Sequence, residues 1–197
     1  MELPLFALHS VLFPGGDLEL HVFEERYLRM MEDVLPEAPF AIAAIRHGQE
    51  VGGTYVPYPV GVRVLPVDFE LLEDGTYEVH VHAEDRLRLL EPVAEHPYAR
   101  WRVEPFPEEG PADRRLVAGA MAAAVRFLDV AGVDGELEFE PDPVAASYTL
   151  ATLTPGLVPD RQALLEIAGP AERLERLTRS FRQEAGLLRA LRERRAP

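Results

Sequence analysis

The strongest chemical signal in the chain is Glu78-Val79-His80-Val81-His82-Ala83-Glu84. Side chains alternate along an extended strand, so Glu78, His80, His82 and Glu84 share one face while Val79, Val81 and Ala83 share the other. Two imidazoles and a carboxylate within reach of one another have the donor chemistry of a zinc site. The same alternation is required of any half-buried antiparallel strand, and no third ligand is identified beyond that face. His80 and His82 are the metal candidates, but the reading of the whole chain is that it holds no metal and no cofactor.

Other chemistries fall away on context. Phe13-Pro14-Gly15-Gly16 brings a glycine pair to a turn, but a dinucleotide fingerprint needs three glycines in G-x-G-x-x-G between a strand and a helix. Here the chain continues after Gly16 as a strand, so a turn accounts for both glycines. Ser10, Ser147 and Ser180 lie in no G-x-S-x-G elbow. There is no cysteine, hence no thiol nucleophile, disulfide or Cys-based metal site. All 20 basic residues are Arg. Without a Lys there is no P-loop, Schiff base, Ser-Lys dyad or kinase site in these residues. Carboxylate pairs such as Asp68/Glu70 and Glu73/Asp74 are expected by chance in so acidic a segment. The chain is therefore read as not an enzyme.

The charge is uneven. Of the formal −14, residues 1–110 hold 21 acids and 8 Arg, and residues 111–197 hold 13 acids and 12 Arg. Nucleic acids and anionic membrane surfaces both demand a basic face that the first half does not offer. No apolar run approaches the ~20 residues of a membrane span. The start MELPLFALHS lacks the basic residues and cleavage site of a secretory signal, so the expected location is the cytoplasm.

These residues must be held by two kinds of element. The first half is a series of β-type runs: residues 3–13, 17–23, 39–45, 54–71, 76–93 and 98–106. Leu18, Leu20 and Val22 share one face of the second run, and Asp74-Gly75 is a hairpin signal. One short helix is inserted after Glu24, with Tyr27, Leu28, Met31, Val34 and Leu35 at helical spacing and Pro36 ending it. Strands at this spacing suggest a small, partly closed β-barrel. Pro and Gly crowd Pro105 to Pro111, and the composition then turns helical, which predicts a β-domain over 1–108 and a helical bundle over 109–197.

In that second half a helix is expected over 112–132 with Leu116, Ala120, Ala123, Ala124 and Phe127 inward. A second opens at Asp142-Pro143, a third is capped by Asp160, and the last starts at Pro170 with Leu174, Leu177, Phe181, Leu188 and Leu191 as its apolar stripe. Tyr55, Tyr58, Phe69, Trp101 and Phe106 are the candidates for a peptide-binding surface, since aromatics are enriched at binding hot spots as well as in cores.

The order of short motifs also carries a family resemblance. Pro4-Leu5-Phe6-Ala7-Leu8, Val11-Leu12-Phe13-Pro14-Gly15-Gly16 and Leu18 to Tyr27 resemble the opening of the Lon protease N-terminal, or LON substrate-binding, domain. Pro59-Val60-Gly61-Val62 resembles its glycine-led central strand, and Val81 to Leu90 its strand bearing an Arg, here Arg86. Val158 to Glu166 and Glu172-Arg173-Leu174 resemble elements of its helical part. Ala83 stands where the family usually has Gly, and Arg161 where it more often has Lys.

The resemblance implies an α+β architecture, a PUA-like β-pseudobarrel with an inserted short helix followed by a C-terminal α-helical bundle. It further implies a non-catalytic module that binds unfolded or exposed hydrophobic polypeptide segments, with a protease or ATPase as a further partner. The expected form is a standalone member without ATPase or protease modules, serving as an adaptor or regulator of protein quality control. An RNA-binding PUA-like module is the alternative, and a metal-dependent enzyme centred on His80 and His82 a third.

Overall fold

Two segments, Leu3–Ala7 and Phe40–Ile45, are buried without a break. Continuous apolar runs suit strands covered on both faces, as parallel strands are. In the computed structural model, which describes residues 1–94, 97–133 and 140–195, they form β1 (Glu2–Leu8) and most of β3 (Phe40–Gly48). The two pair in parallel, with Leu5 beside Ala41 and Ala7 beside Ala43.

The remaining strands are β2 (Asp17–Val22), β4 (Tyr55–Pro57), β5 (Val60–Leu71), β6 (Tyr77–Ala94) and β7 (Arg100–Pro105). Their order is β1-β7-β6-β5-β3-β4, with β2 beside β6. Because β1 also pairs with β3, five strands close into a ring, in keeping with the small barrel expected from strand spacing and the pseudobarrel implied by the resemblance. Its narrow interior takes small residues beside larger ones: Ala41, Ala43 and Ala83 are buried together with Leu5, Val62 and Leu87. At Gly61 there is no room for a side chain, since a Cβ would lie 2.3 Å from the Ile42 carbonyl oxygen.

Helix α1 (Glu25–Val34) buries Tyr27, Met30, Met31 and Val34. The Tyr27 ring stacks on Phe6 at 3.9 Å, and its hydroxyl accepts a hydrogen bond from Ala7 N–H at 3.2 Å. Residues 3–13, expected as one strand, divide: β1 stops at Leu8, and the loop that follows buries Val11 and Phe13. Gly15, at φ 77, turns this loop so that Gly15 N–H donates to Ala83 O at 2.7 Å and Ala83 N–H to Gly16 O at 2.9 Å. The glycine pair thus starts the pairing of β2 with β6.

Two compact units are distinguished, Met1–Pro107 with Val158–Glu166, and Glu108–Leu157 with Ile167–Pro197. Helix α4 (Val158–Leu165) therefore groups with the strands, whereas the sequence boundary left it with the helices. The reason is polar: Gln162 Nε2 donates to Val60 O at 2.9 Å, and the Arg161 guanidinium lies over the Phe13 ring. Asp160 sits in the first turn of α4, two residues after its start at Val158, and does not precede it as a cap.

The second unit contains α2 (Arg114–Ala131), α3 (Pro143–Thr152) and α5 (Pro170–Arg195). Asp113 caps α2 and Asp142 caps α3, each accepting from a main-chain N–H at 2.8 Å, and Pro143 opens α3. In α2, Ala120, Ala123, Ala124 and Phe127 are buried as expected, while Leu116 is only partly buried and Val117 beside it fully so. In α5, Leu174, Leu177, Phe181 and Ala185 are buried, but Leu191 is 53% exposed, so the expected stripe stops short of it.

Arg173 is fully buried in this unit. Its guanidinium donates to Ser147 Oγ at 2.7 Å, to Ile167 O at 2.9 Å and to Glu108 Oε2 at 3.0 Å, and lies 4.1 Å from the Tyr148 ring centroid.

Candidate functional site

Strand β4 is only three residues long, and β3 is its one strand partner among the described residues. Prolines at Pro57 and Pro59 confine it, since a proline cannot donate to a ladder. Across from it lie the end of β6 and the start of β7. Between them is a groove of about 530 Å³ whose lining includes Tyr55, Pro57, Pro92, Ala99, Trp101 and Arg26. Arg26 is the one charged side chain among the described residues of that lining.

The groove's floor is tied to the barrel core. Tyr55, Ala99 and Trp101 are partly buried and pack against Leu3, Leu5, Leu87, Leu89 and Val103. The Arg26 guanidinium stands 4.5 Å from the Tyr27 ring centroid and 5.5 Å from that of Tyr55. It donates to Glu50 O at 2.7 Å and to Glu24 Oε1 at 3.1 Å, while Glu24 Oε2 accepts from Gly52 N–H at 2.9 Å. Burial is the main cause that pushes both the Tyr55 and the Tyr27 phenol above the ordinary tyrosine range. The result is a mostly apolar groove with rigid aromatic and proline walls and a fixed cation at one side. Concave, mostly apolar surfaces with a few fixed polar groups are suited to binding apolar groups.

The five aromatic candidates do not converge. Tyr55 and Trp101 both line the groove. Tyr58 follows β4, its N–H donating to Ala44 O at 2.8 Å. Phe106 follows β7, with the Arg86 and Arg88 guanidiniums 4.3 Å and 4.6 Å from its ring centroid. Phe69 lies near the β5–β6 hairpin, at the other end of β6 from the groove residue Pro92, and is 42% exposed. Pro57, Pro92, Ala99 and Arg26 share that lining, residues whose types carry no chemical signal until the strands bring them together.

His80 and His82 do lie on one strand face, but each has a carboxylate across the β2–β6 ladder. His82 Nδ1 is 2.7 Å from Asp17 Oδ1, and His80 Nε2 is 3.6 Å from Glu19 Oε1. No group of three or more metal-ligating side chains is found among the described residues. The pattern that suggested a metal site is occupied here by cross-strand pairing.

A model of the ATP-dependent protease La (LON) substrate-binding domain matches residues 2–182. The chain belongs to this family. The chain is 28% identical over 200 residues to Lon protease 2 of Herpetosiphon aurantiacus, a match covering 95% of this chain and 24% of that protein. It is 29% identical over 163 residues to the Lon protease of Anaeromyxobacter dehalogenans, covering 80% of this chain and 19% of that one. The chain thus spans a quarter or less of the length of these relatives.

Among solved structures, the Lon N-terminal domain protein from Xanthomonas campestris superposes with a TM-score of 0.67 at 27% identity, covering 90% of this chain and 96% of that one. The N-terminal domain of Mycobacterium avium complex Lon protease gives a TM-score of 0.66 at 15% identity, a likeness of fold, over 92% and 98% of the two chains. No described helix of the chain is long and apolar enough to cross a membrane.

Proposed function

We propose that this chain is a non-catalytic polypeptide-binding module that takes apolar segments of unfolded or damaged proteins into the groove walled by Tyr55 and Trp101. The carrying observation is that groove: it is large enough for several side chains, and rigid aromatic and proline residues wall it at low entropic cost. Membership of a family described by substrate binding supports the same reading. The absence of Lys from the chain argues against a P-loop or a Ser-Lys dyad within it. Serving as an adaptor or regulator for a separate protease or ATPase, in the cytoplasm, follows from this reading. The excess of acids over Arg in residues 1–110 weighs against the RNA-binding alternative.

Trp101 is the only tryptophan in the chain, so its emission reports on the groove alone. A reduced, carboxymethylated, tryptophan-free protein is expected to shift that emission to the blue in a saturable way. Tyr55→Ala should weaken the binding at least several-fold. No saturable binding at up to about 100 μM, where even a modest apolar contact registers, would overturn the proposal.

A further inference from the structure

Strand β5 is longer than its partner on one side. β3 pairs with it only from Val62 to Val64, and beyond Val64 no described strand lies on the side away from β6. Among the described residues, the exposed segment from Asp68 to Leu71 therefore has no strand on its outer side. Natural edges are blunted, and this one carries an irregularity between Pro66 and Asp68. After that irregularity it is regular and open: Phe69 is 42% and Leu71 59% exposed.

The direction of its main-chain groups follows from the hairpin. Leu72 N–H donates to Thr76 O at 2.9 Å, which makes that opposing pair hydrogen-bonded. Asp68 faces His80, Phe69 faces Val79, Glu70 faces Glu78 and Leu71 faces Tyr77. In an antiparallel ladder hydrogen-bonded and non-bonded pairs alternate, so the N–H and C=O groups of Phe69 and Leu71 turn outward to the free edge. Phe69 N–H agrees with this, since it donates at 2.9 Å to the carboxylate of the adjacent Asp68.

Both side-chain faces of this edge are specified. Phe69 and Leu71 share one with Val79 and Tyr77, and Asp68 and Glu70 share the other. On the second face Glu70 sits directly opposite Glu78, a like-charge pair that costs stability. Residues 64–79 hold Asp68, Glu70, Glu73, Asp74 and Glu78 and not one Arg.

We propose that the outer edge of β5, from Asp68 to Leu71, is a strand-addition site for an extended, basic polypeptide segment in which apolar and Arg or Lys residues alternate. Main-chain hydrogen bonds to Leu71 and to the Phe69 carbonyl hold the added strand, and the Phe69 N–H exchanges its Asp68 partner for it. Its apolar side chains lie beside Phe69 and Leu71, and its cations lie beside Asp68 and Glu70, relieving the repulsion between Glu70 and Glu78. The charge also selects the occupant. A second copy adding the same edge antiparallel about Phe69 would set Asp68 against Glu70, which disfavours self-pairing. The site lies at the opposite end of β6 from the Tyr55 and Trp101 groove, and stands or falls independently of it.

The probe is a fluorescein-labelled ten-residue peptide of alternating Val and Arg, read by anisotropy against the full chain, with amide hydrogen exchange followed by NMR. Saturable binding is expected, with new protection of the Phe69 and Leu71 amides. Methylating the peptide's main-chain nitrogens at every second residue, on the edge that meets β5, should weaken binding by about tenfold or more, because the main chain supplies the contact. Glu70→Arg is exposed and removes a like-charge pair, so it should leave the fold intact. It should weaken the Val/Arg peptide by about fivefold or more and admit a Val/Glu peptide that the unmodified chain rejects. Equal affinity for the methylated peptide, protection confined to other strands, or no saturation by about 1 mM would each overturn the proposal.

Discussion

Arg86 Nη1 donates to the Leu165 carbonyl at 2.8 Å, joining the middle of β6 to the last turn of helix α4. A helix C-terminus exposes carbonyls that carry partial negative charge, so a guanidinium suits the place. Arg86 is 3% exposed, and its Nη2 also donates to Pro107 O at 3.3 Å. Arg86, singled out in the sequence by the resemblance of its strand to the family's, thus fastens α4 to the barrel together with Gln162. Arg86→Met keeps the stem but removes the donors, and should cost about 2–4 kcal/mol in urea unfolding. Arg86→Lys, with a point charge in place of a planar fork, should recover only part of that loss.

The second unit has a comparable centre. The buried Arg173 guanidinium meets Ser147, Ile167 O and the Glu108 carboxylate. Removing one member of such a pair strands the other, so Glu108→Gln and Arg173→Met should each destabilise the unit by about 3–5 kcal/mol. The double variant should lose less than the sum of the two, which a double-mutant cycle on thermal unfolding measures.

Much of this fold was legible because it is local. The alternation in Asp17–Val22, the Asp74-Gly75 turn and the Asp142-Pro143 helix start each depend on neighbours a few residues away. What was not legible depends on closure. Residues 54–71 read as one run, but Pro57, Tyr58 and Pro59 break them into β4 and β5. Only the parallel pairing of β1 with β3 closes the ring, and the closed ring brings Tyr55 and Trp101 onto one groove lining. The buried polar ties of Arg161 and Gln162 likewise override the composition shift that assigned them to the helices.

Gly61 tests the tightness of that closure. A Cβ there would meet Ile42 O at 2.3 Å and Ala43 Cβ at 3.0 Å, and the first of these is main chain in the adjacent strand. It can yield only if β3 and β5 move apart. Gly61→Ala should therefore destabilise the β-unit by about 1–3 kcal/mol, the usual cost of overpacking. Gly75→Asn makes the contrast: a Cβ there meets nothing within 4 Å, and at φ 84 only the backbone preference is at stake. The two midpoints, compared by urea unfolding, should separate with Gly61→Ala the lower.

The paired phenols beneath the groove should make the fold sensitive to alkali. Burial is the largest cause holding both Tyr55 and Tyr27 above the ordinary value of 10.0, and the hydrogen bond between their hydroxyls adds to the shift of Tyr55. In the unfolded chain both phenols ionise near that ordinary value, while in the folded chain they keep their protons. As pH rises past 10.0 the unfolded state loses protons that the native state retains, so the balance moves toward unfolding. The contribution is complete below pH 10.0 and declines above it, through the raised folded values. Stability by urea unfolding should be level from pH 7 to pH 9 in this respect and fall by pH 11, with tyrosinate absorbance rising as the chain unfolds. Tyr55→Phe should flatten that decline. Tyr27→Phe should flatten it too, but at a cost of about 1 kcal/mol at neutral pH, because the Ala7 N–H that donates to its hydroxyl loses its acceptor. An unchanged alkaline slope in both variants would show that these phenols titrate like exposed ones.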